Sequence, residues 1–276
     1  MAVEILLSTY NGEKYLPAFL DSLFSQTNQD WLLRIRDDGS SDNTLAVVKS
    51  YSDAHPGRVV LQKDELGNIK PKRSFEELLK ACEADYIFFA DEDDVWLPEK
   101  VEHTLAKMKE SEMQTPNLPI VVCTDLKVAD GDLNIISDSM WHYSRICPQL
   151  FHDKDYSVIN PVATGCTMLI NKAARGASLP FHAMARMHDG WIVMRTVLSG
   201  GRLVPLCEST MLYRQHNGNQ IGALYKEKGF FRKKLSSIRE TWNYNCQQWA
   251  SLKVAGYPSL LRYLFYKAKF VFSKPQ

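Results

Sequence analysis

The sequence predicts an α/β protein whose central sheet is mostly parallel and whose last residues form a basic helical extension. Short apolar runs, such as residues 3–7 and 86–90, are typical of strands buried on both faces. Segments with apolar residues at helical spacing separate these runs, and this alternation indicates parallel strands joined by right-handed crossovers. Three predicted strands end in polar, turn-forming residues, at the sheet edge where open α/β folds bind ligands.

Length and composition describe an ordinary globular protein. A chain of 276 residues can bury one large core and carry an appendage. Its six cysteines are scattered without a C-x-x-C pair, which argues against a disulfide framework and a zinc site. The chain starts with an apolar run containing Glu4, and no stretch reaches the roughly 18 apolar residues of a membrane span. We therefore expect no signal peptide, no membrane span and a cytoplasmic location.

The first half of the chain alternates strands and helices. In order, we predict a strand over residues 3–7, a helix over 15–24, a strand over 31–36, a helix over 44–51, a strand over 59–61, a helix over 74–82 and a strand over 86–90. Residues 96–100 then open a further helix, with Pro98 suited to its first turn. Neither a G-x-G-x-x-G fingerprint nor a P-loop occurs, so a bound phosphate would be held by a metal ion and side chains.

An acidic cluster directly follows the strand predicted over residues 86–90. It consists of Asp91, Glu92, Asp93 and Asp94. Four neighbouring carboxylates repel one another unless a cation lies among them. A divalent ion held by one or two carboxylates and by a substrate's phosphates would remove this repulsion. The alternative is a solvated acidic loop that caps the next helix.

Three motifs carry a family resemblance. Residues 8–12 (STYNG), 37–42 (DDGSSD) and 91–96 (DEDDVW) resemble, in order and spacing, the motifs of family-2 inverting glycosyltransferases of the GT-A fold. The sequence is most similar to the bacterial rhamnosyltransferase-like group of that family. The resemblance covers about residues 1–222. We therefore expect a catalytic domain over residues 1–222 and a basic, aromatic-rich helical extension over residues 223–276.

The resemblance implies a donor-binding set in the first half. The nucleobase pocket would be lined by Thr9, Tyr10 and Asn11. Asp38 would accept a hydrogen bond from the base or the ribose, and Arg73, in the basic run 70–73, would reach the diphosphate. The alternatives are a strand-to-helix turn for residues 9–11, a helix N-cap for Asp38 and a solvated basic loop for residues 70–73.

The same resemblance implies a site for Mg²⁺ or Mn²⁺ that bridges the donor's diphosphate. Asp91 would face the ribose and add a ligand, and Asp93 would be the principal metal ligand. Residues 213–220 resemble the family's distal Arg-x-His segment, which makes His216 a second ligand and Arg214 a diphosphate contact. The alternative for His216 is a surface histidine in a loop.

The acceptor side is predicted from residues 120–191. Residues 120–125 form an apolar strand, and residues 130–160 resemble an irregular loop over the active site. Residues 160–171 resemble the family's acceptor-side turn and strand, in which Thr164 and Gly165 would present backbone to the sugar. Cys166 is expected to be a small buried packing residue rather than a nucleophile, because a single displacement needs no covalent intermediate.

Asp189 is the predicted general base. In the family, an acid that opens a helix at this point has that role, and an inverting transfer needs one carboxylate to take the proton of the acceptor hydroxyl. The leaving group needs no protonation when a metal-bound diphosphate leaves. His188 is expected to be a positioning residue on the acceptor side. The alternative for Asp189 is an N-cap of the helix that runs through residues 191–198.

The C-terminal segment differs in charge from the rest of the chain. Residues 226–276 contain 11 Lys or Arg and 2 Glu, although the whole chain has a net charge of +1. Residues 230–235 and 260–272 mix aromatic and basic residues, a pattern typical of helices that lie on anionic membranes. The alternative is a helical pair packed on the catalytic domain. No nucleic-acid-binding signature accompanies the basic residues, so we expect no nucleic-acid partner.

The resemblance implies a hexosyltransferase of bacterial polysaccharide or O-antigen synthesis. It would move a sugar, in the first place rhamnose from dTDP-rhamnose, to a saccharide or a lipid-diphosphate-linked saccharide at the cytoplasmic face of the inner membrane. UDP-glucose, UDP-galactose and UDP-N-acetylhexosamines are alternative donors. A nucleotidyltransferase would normally have a Gly-rich, Lys/Arg-bearing loop where this chain has residues 8–12. A non-catalytic binding module would not need a base such as Asp189.

Overall fold

The computed structural model describes residues 2–160, 162–216 and 238–272. The first part contains β1 (Val3–Thr9), α1 (Leu16–Phe24), β2 (Leu32–Asp37), α2 (Thr44–Ala54), β3 (Val59–Leu61), α3 (Lys70–Ala81), β4 (Tyr86–Ala90), β5 (Val95–Trp96) and α4 (Lys100–Gln114). The second part contains β6 (Ile120–Ala129), β7 (Ile135–Ser137), α5 (Met140–Tyr143), α6 (Lys154–Ile159), β8 (Met168–Asn171), α7 (Lys172–Ser178), α8 (His188–Leu198), β9 (Arg202–Arg214), α9 (Ile238–Ala255) and α10 (Leu260–Phe272).

Within the described residues, nine strands form one mixed sheet. Its order is β3-β2-β1-β4-β8-β6-β9-β5, and β7 pairs with β6 outside this path. Strands β3, β2, β1 and β4 are parallel neighbours, as are β6 and β9. Strand β8 runs antiparallel to both β4 and β6, and β5 is antiparallel to β9. The predicted α/β class with a mostly parallel sheet is confirmed.

The sheet separates two apolar clusters, one on each face. Successive side chains of a strand point to opposite faces, so Ile5 and Phe88 join one cluster while Leu6 and Phe89 join the other. Helices α1 and α4 cover the first face through residues such as Phe19. The parallel arrangement places the carboxyl ends of β1, β2 and β4 side by side at one edge of the sheet.

Some predicted boundaries are wrong for identifiable reasons. The basic run 70–73 is not a loop, because it forms the first turn of α3, where Pro71 is favoured. Helix α4 begins at Lys100 rather than at Trp96, since Val95 and Trp96 pair with β9 as a short strand. The element boundaries predicted for residues 59–61 and 86–90 are confirmed.

The segment 130–160 was predicted to be irregular and instead contains β7, α5 and α6. Trp141 is buried in it and stands edge-on to Phe151 at a ring-centre distance of 5.3 Å. The Asp125 carboxylate accepts hydrogen bonds from Ser139 Oγ (2.5 Å) and from the Trp141 amide (3.1 Å). Asp125 therefore holds this segment against β6.

The C-terminal helices pack on α6 and α8. Asp155 of α6 accepts two hydrogen bonds from Arg262 (2.8 and 2.7 Å), and Arg195 of α8 donates to the Ala255 carbonyl (2.9 Å). Tyr263 and Phe270 of α10 are 2% and 5% exposed. The predicted helical extension is present, while the boundary at residues 222 and 223 and the segment 230–235 lie outside the described residues.

Candidate active site

Three sequence motifs interlock where β1, β2 and β4 end. The Thr9 hydroxyl donates to Asp37 Oδ1 (3.0 Å), and Asn11 Oδ1 accepts from the Ser41 amide (2.8 Å). The Tyr10 amide donates to Glu92 Oε1 (3.2 Å). The motifs at residues 8–12, 37–42 and 91–96 therefore form one surface rather than three separate turns.

The residues predicted to line the nucleobase pocket differ in accessibility. Tyr10 is 50% exposed, and its ring is free to stack on a base, whereas Thr9 is fully buried. Asn11 is exposed, has a left-handed φ of 52°, and its backbone amide donates to Ser40 Oγ (2.9 Å). A contact of Thr9 with a ligand would have to come from its backbone. The nucleobase role of all three residues stays a prediction.

Asp38 is buried and joins the end of β2 to the start of α3. Its Oδ1 accepts from Arg36 Nη1 (2.7 Å) and the Ile69 amide (2.8 Å), and its Oδ2 accepts from the Lys70 amide (2.9 Å). Arg36 also donates twice to Asp64 (2.8 and 3.0 Å), and this hydrogen bonding lowers the pKa of Asp64. A hydrogen bond from Asp38 to a base or ribose stays a prediction, and it would have to share the carboxylate with these partners.

The acidic cluster after β4 is crowded and poorly compensated within the described residues. Ligand atoms of Asp91, Asp94 and Cys166 lie within 4.8 Å of one another. Burial raises the pKa of Asp91 to about 7, and the charges of Asp93 and Asp189 add to the effect. Burial likewise raises the pKa of Glu92 to about 8. Among the residues that the structure describes, none forms a hydrogen bond with the buried Asp94 Oδ2.

Asp93 and His216 are brought together although 123 residues separate them. His216 Nε2 lies 2.8 Å from Asp93 Oδ2, and the His216 ring packs on Tyr15 at a ring-centre distance of 4.7 Å. The pairing of β5 with β9 produces this arrangement, because it aligns the acidic loop with the strand that leads to His216. Residues 217–220 of the same motif lie outside the described residues.

Arg214 is almost fully buried and supports the acidic loop. Its Nε donates to the Asp93 carbonyl (2.9 Å), its Nη1 donates to the Gly131 carbonyl (2.7 Å), and its guanidinium carbon lies 4.7 Å from the centre of the Tyr15 ring. These contacts give Arg214 a structural role. A contact with the donor's diphosphate stays a prediction.

The cluster has the chemistry of a site for Mg²⁺ or Mn²⁺. Carboxylate oxygens suit both ions and an imidazole suits transition metals, so the residue types of the predicted ligands Asp91, Asp93 and His216 fit. The structure brings Asp93 and His216 together, whereas Asp91 clusters with Asp94 and Cys166 among the described residues, so the predicted set of three ligands stays a prediction. Burial, and after it the charges of Asp93 and Asp189, raises the pKa of Asp91, and a bound cation would favour its ionised form. Cys166 does not fit as a ligand, because burial raises the pKa of its thiol well above the usual value. It is buried, as expected of a packing residue.

Asp189 lies in the first turn of α8, next to the acidic cluster. Its charge contributes to the raised pKa of Asp91, so the two carboxylates are close. The N-cap interpretation of Asp189 is wrong, because Met187 occupies the N-cap position and Asp189 Oδ1 accepts from the adjacent Gly190 amide (2.6 Å). Asp189 is partly exposed and available to a proton donor.

His188 and Gly165 are in direct contact. A Cβ atom added to Gly165 would lie 2.5 Å from His188 Nε2, so this close approach requires glycine. The His188 ring packs on Phe75 at 4.0 Å and on Phe89 at 5.5 Å, and burial lowers its pKa. In the described part of the chain neither ring nitrogen has a hydrogen-bond partner. Thr164 precedes Gly165 in the same turn and is partly exposed.

Arg73 lies on α3 and is 50% exposed, and its Nη1 donates to Glu76 Oε2 (2.5 Å). Sequence reasoning missed the neighbouring roles of Glu76 and Lys72. Glu76 is buried and its Oε1 accepts from the Phe181 amide (2.9 Å), while Lys72 Nζ donates to the Ala185 carbonyl (2.8 Å). Helix α3 therefore fixes the loop that precedes Asp189.

Lys100 was also missed. It is fully buried beneath the acidic cluster, where burial lowers its pKa to about 8, and its Nζ donates to Thr210 Oγ1 (3.2 Å). A signal was available in the sequence, because Lys100, Thr104 and Met108 recur at helical spacing and therefore share the inward face of α4. The nearby charge of Asp94 favours the protonated amine.

Comparison with known proteins identifies related sequences. The family model described as glycosyl transferase family 2 matches residues 4–175. The chain is similar to dTDP-rhamnosyl transferase RfbG of Shigella flexneri, with 25% identity over 260 residues that cover 86% of this chain and 80% of the relative. It is 33% identical over 106 residues to UDP-Glc:alpha-D-GlcNAc-diphosphoundecaprenol beta-1,3-glucosyltransferase WfgD of Escherichia coli, covering 38% of this chain and 40% of that protein.

Two solved structures share the fold. TarS 1–349 of S. aureus in complex with UDP-GlcNAc has a TM-score of 0.60 and 19% identity, over 84% of this chain and 64% of that one. The mannosyltransferase PcManGT of Pyrobaculum calidifontis, in complex with GDP-Man and Mn²⁺, has a TM-score of 0.61 and 13% identity, over 100% of this chain and 81% of that one. The predicted GT-A-type fold is therefore confirmed.

Proposed function

The chain belongs to glycosyl transferase family 2, and from this premise we propose that it is a metal-dependent inverting glycosyltransferase that moves a sugar from a nucleoside diphosphate to a saccharide. The observation that supports the proposal most is that α8 meets the acidic cluster: His188, which precedes Asp189, contacts Gly165, and the sulfur of the next residue, Cys166, lies within 4.8 Å of ligand atoms of Asp91 and Asp94. A base for the acceptor and an acidic site for the donor's diphosphate then stand side by side. A binding protein would need no such base.

In the proposed reaction Asp189 holds the acceptor hydroxyl and takes its proton as the oxygen attacks the anomeric carbon. Tyr10 and Asn11 hold the nucleobase, and Arg73 lies on the exposed face of α3 beside the donor. Asp91, Asp93 and His216 would hold Mg²⁺ or Mn²⁺, which when bound neutralises the charge of the leaving diphosphate. Thr164, Gly165 and His188 shape the wall that the acceptor meets.

For the donor we propose dTDP-rhamnose, because the similarity to RfbG extends over most of both chains. UDP-glucose or a UDP-N-acetylhexosamine is the second candidate, supported by the similarity to WfgD and the fold shared with TarS. Thermal-shift measurements with Mn²⁺ and dTDP-rhamnose, UDP-glucose or UDP-GlcNAc separate the candidates. We expect dTDP-rhamnose to raise the melting temperature most, and a larger shift with a UDP-sugar would contradict this assignment.

We further propose that residues 1–222 form the catalytic domain and that residues 223–276 bring it to the cytoplasmic face of the inner membrane in bacterial polysaccharide synthesis. None of the helices described here is long and apolar enough to cross a membrane. Helix α10 nevertheless exposes Leu261 (80%), Leu264 (52%) and Phe265 (65%) on one face. Such an apolar face with flanking basic residues suits the interface of an anionic bilayer.

Vesicle flotation tests the membrane contact with the full chain. We expect Leu261→Gln/Phe265→Gln to reduce flotation with phosphatidylglycerol vesicles, because the substitution removes exposed apolar area without touching buried Tyr263. Leu45→Gln on α2 is a matched exposed control. Equal flotation of the double variant and the unsubstituted protein would contradict the proposal.

A further inference from the structure

Glu76 on α3 is a buried carboxylate that binds a distant segment of the chain. Its side chain is 1% exposed, and its Oε1 accepts a hydrogen bond from the Phe181 amide (2.9 Å). Its Oε2 accepts from Arg73 Nη1 (2.5 Å), and Lys80 Nζ lies 3.6 Å from Oε1. Burial alone would raise the pKa of Glu76, but the hydrogen bonds from Arg73 and Phe181 and the nearby positive charges outweigh burial and lower it. The Phe181 amide therefore donates to an ionised carboxylate, which makes the hydrogen bond stronger than one to a neutral group.

Lys72, one turn before Glu76 on α3, binds the same loop. Its Nζ donates to the carbonyls of Ala183 (3.2 Å) and Ala185 (2.8 Å). A spacing of four residues places Lys72 and Glu76 side by side on one face of the helix. The helix thus offers a donor and an acceptor to complementary backbone groups of residues 181–185, which we call the anchored loop.

The anchored loop leads directly into α8, whose first turn carries Asp189. Two residues separate the loop from His188, the first residue of α8. The His188 ring packs on the ring of Phe75, the neighbour of Glu76 on α3, at a ring-centre distance of 4.0 Å. Helix α3 therefore contacts both the loop and the residue that precedes Asp189, and it fixes the path of the backbone to the predicted base.

The body of α8 is held by other contacts. Trp191 Nε1 donates to the carbonyl of Ser178 in α7 (2.9 Å), and Arg195 Nη1 donates to the carbonyl of Ala255 in α9 (2.9 Å). Because these hydrogen bonds do not reach α3, they persist when the contact made by Glu76 is lost. Such a loss should loosen the anchored loop and the first turn of α8 while the rest of the helix keeps its place.

The place of Asp189 matters because a base acts only within hydrogen-bond reach of the proton that it takes, roughly 2.6–3.2 Å between heavy atoms. A displacement of about 1 Å at a reacting group can lower the rate about 100-fold. We propose that Glu76 is a positioning residue for sugar transfer, and that its carboxylate sets the place of Asp189 through the anchored loop. The inference rests on the proposed function, because it takes Asp189 as the base.

Amide hydrogen exchange of the full chain tests the structural link. The Trp191 amide donates to the Met187 carbonyl (3.2 Å) in the first turn of α8, and the Ser199 amide donates to the Arg195 carbonyl (3.0 Å) at the other end. We expect Glu76→Ala to speed exchange at Trp191 about tenfold or more, because the first turn loses its anchor, and to leave exchange at Ser199 unchanged.

Three further variants of α3 separate the contact with the loop from other effects. Glu77→Ala is the matched control, since it removes a carboxylate of the same helix that pairs with Lys80 (2.8 Å), and exchange at the first turn of α8 should not change. Glu76→Gln keeps a side-chain oxygen for the Phe181 amide and should exchange more slowly than Glu76→Ala. Lys72→Met removes the other anchor of the loop and replaces Glu76→Ala if that variant does not fold. Equal exchange in Glu76→Ala and Glu77→Ala would overturn the proposal.

Hydrolysis of dTDP-rhamnose with Mn²⁺ tests whether Glu76 acts through the base, with water in place of the saccharide hydroxyl. We expect Glu76→Ala to lower kcat about 10- to 100-fold without raising the KM for the donor. In an Asp189→Asn background the same substitution should lower kcat less than about twofold further. A residue that acts through Asp189 has no base left to position there, so the two effects are not additive.

The kinetic outcomes distinguish a failure of this inference from a failure of the proposed function. A loss that is equally large with and without Asp189→Asn is the result of a merely structural role. It would overturn the positioning role of Glu76 and leave the proposed function standing. A kcat that Asp189→Asn leaves unchanged would remove the base itself, and the proposed function and this inference would both be overturned.

Discussion

The ends of β2 and β4 carry similar acidic clusters, and the protein treats their charges in opposite ways. At the end of β2, Asp38 accepts from Arg36 and from two backbone amides. At the end of β4, burial raises the pKa of Asp91 and Glu92 to about 7 and about 8, and Asp94 keeps a buried oxygen without a partner among the described residues. The β2 cluster, which we call the compensated cluster, holds backbone together. The β4 cluster contains the Asp93–His216 pair together with buried carboxyl groups of raised pKa, and is suited to a cation.

The largest effect should come from Asp189, the carboxylate that α8 adds to the β4 cluster. We expect Asp189→Asn to reduce sugar transfer about 100- to 10,000-fold, because the acceptor hydroxyl loses its base. Donor affinity and metal affinity should stay unchanged, since Asp189 is not among the proposed ligands. Steady-state transfer assays and donor titration calorimetry measure both quantities.

Asp53→Asn on the exposed face of α2 serves as the control for that substitution. Turnover retained in Asp189→Asn would remove this residue from the mechanism. Lost donor binding would instead indicate that Asp189 belongs to the metal site, and the assignment of Asp189 as the base would be wrong.

The next effect concerns the compensated cluster. We expect Arg36→Met to lower the free energy of unfolding by about 3–5 kcal/mol, because Asp38 is then buried without its cation. Lys49→Met removes one partner of the exposed pair with Asp53 and should cost about 0–1 kcal/mol. Urea denaturation measures both. A loss below about 1 kcal/mol for Arg36→Met would mean that the two clusters do not differ in compensation as described.

The β4 cluster should give a pH-dependent metal affinity. The folded-state pKa values of Asp91 and Glu92, about 7 and about 8, lie above their ordinary values of 3.8 and 4.5. At pH values between the ordinary pKa and the folded-state pKa of these two groups, the metal-free folded protein binds more protons than the unfolded chain. The stability of the folded protein therefore falls as pH rises through this range. Metal binding displaces those protons, and Mn²⁺ affinity should rise by up to about tenfold per pH unit for each proton released.

Calorimetry with Mn²⁺ at pH 5 and pH 8 measures the affinity, and calorimetry at pH 6 in two buffers of different ionisation enthalpy counts the released protons. Thermal unfolding in EDTA at pH 5 and pH 8 follows the stability. Asp93→Ala, which removes a proposed ligand, should weaken Mn²⁺ binding at both pH values. An Mn²⁺ affinity that is independent of pH between 5 and 8 would contradict the assigned charge state of the cluster.

The smallest effect is expected for a matched pair of substitutions in the two clusters. Burial, with the charges of Asp93 and Asp91, raises the pKa of Asp94 well above its ordinary value, so the folded protein gains little from a charged carboxylate at this position. Asp94→Asn should therefore change the unfolding free energy in EDTA by less than about 0.5 kcal/mol. Asp38→Asn should cost several times more, because it removes one of the two carboxylates that pair with buried Arg36. Equal costs would abolish the distinction between the clusters.

The sequence was sufficient to predict the convergence of the three motifs, because parallel strands place their carboxyl ends at one edge whatever their partners are. It was not sufficient to separate Asp38 from Asp91. That difference depends on the burial of Arg36, which the alternation of β2 does not predict because it places Arg36 on the same face as Arg34, and on the approach of Asp64, which no local pattern shows. The predicted start of α3 is wrong because a run of basic residues such as Lys70 and Lys72 is typical of a solvated loop. The hydrogen bond from Lys72 to the Ala185 carbonyl, which holds this turn in place, depends on a distant part of the chain.

Long-range pairing explains the other limits of sequence reasoning. The two-residue strand β5 is too short to predict from periodicity, yet it brings Asp93 beside His216. Likewise Arg186 and Lys267 both contact the Tyr244 ring, although no local sequence pattern connects their segments. The roles of Asp93 and His216 in metal binding stay predictions.

During synthesis His216 follows Asp93 by 123 residues. The pairing of β5 with β9, which brings the two residues together, can therefore form only late in synthesis. A nascent chain that ends at residue 175, where the match to the family model ends, already contains β1, β2 and β4 but lacks a ligand of the proposed metal site. Cation loading of the proposed site would therefore be a late event in biosynthesis, and a product truncated before β9 would carry the acidic motif without a complete site.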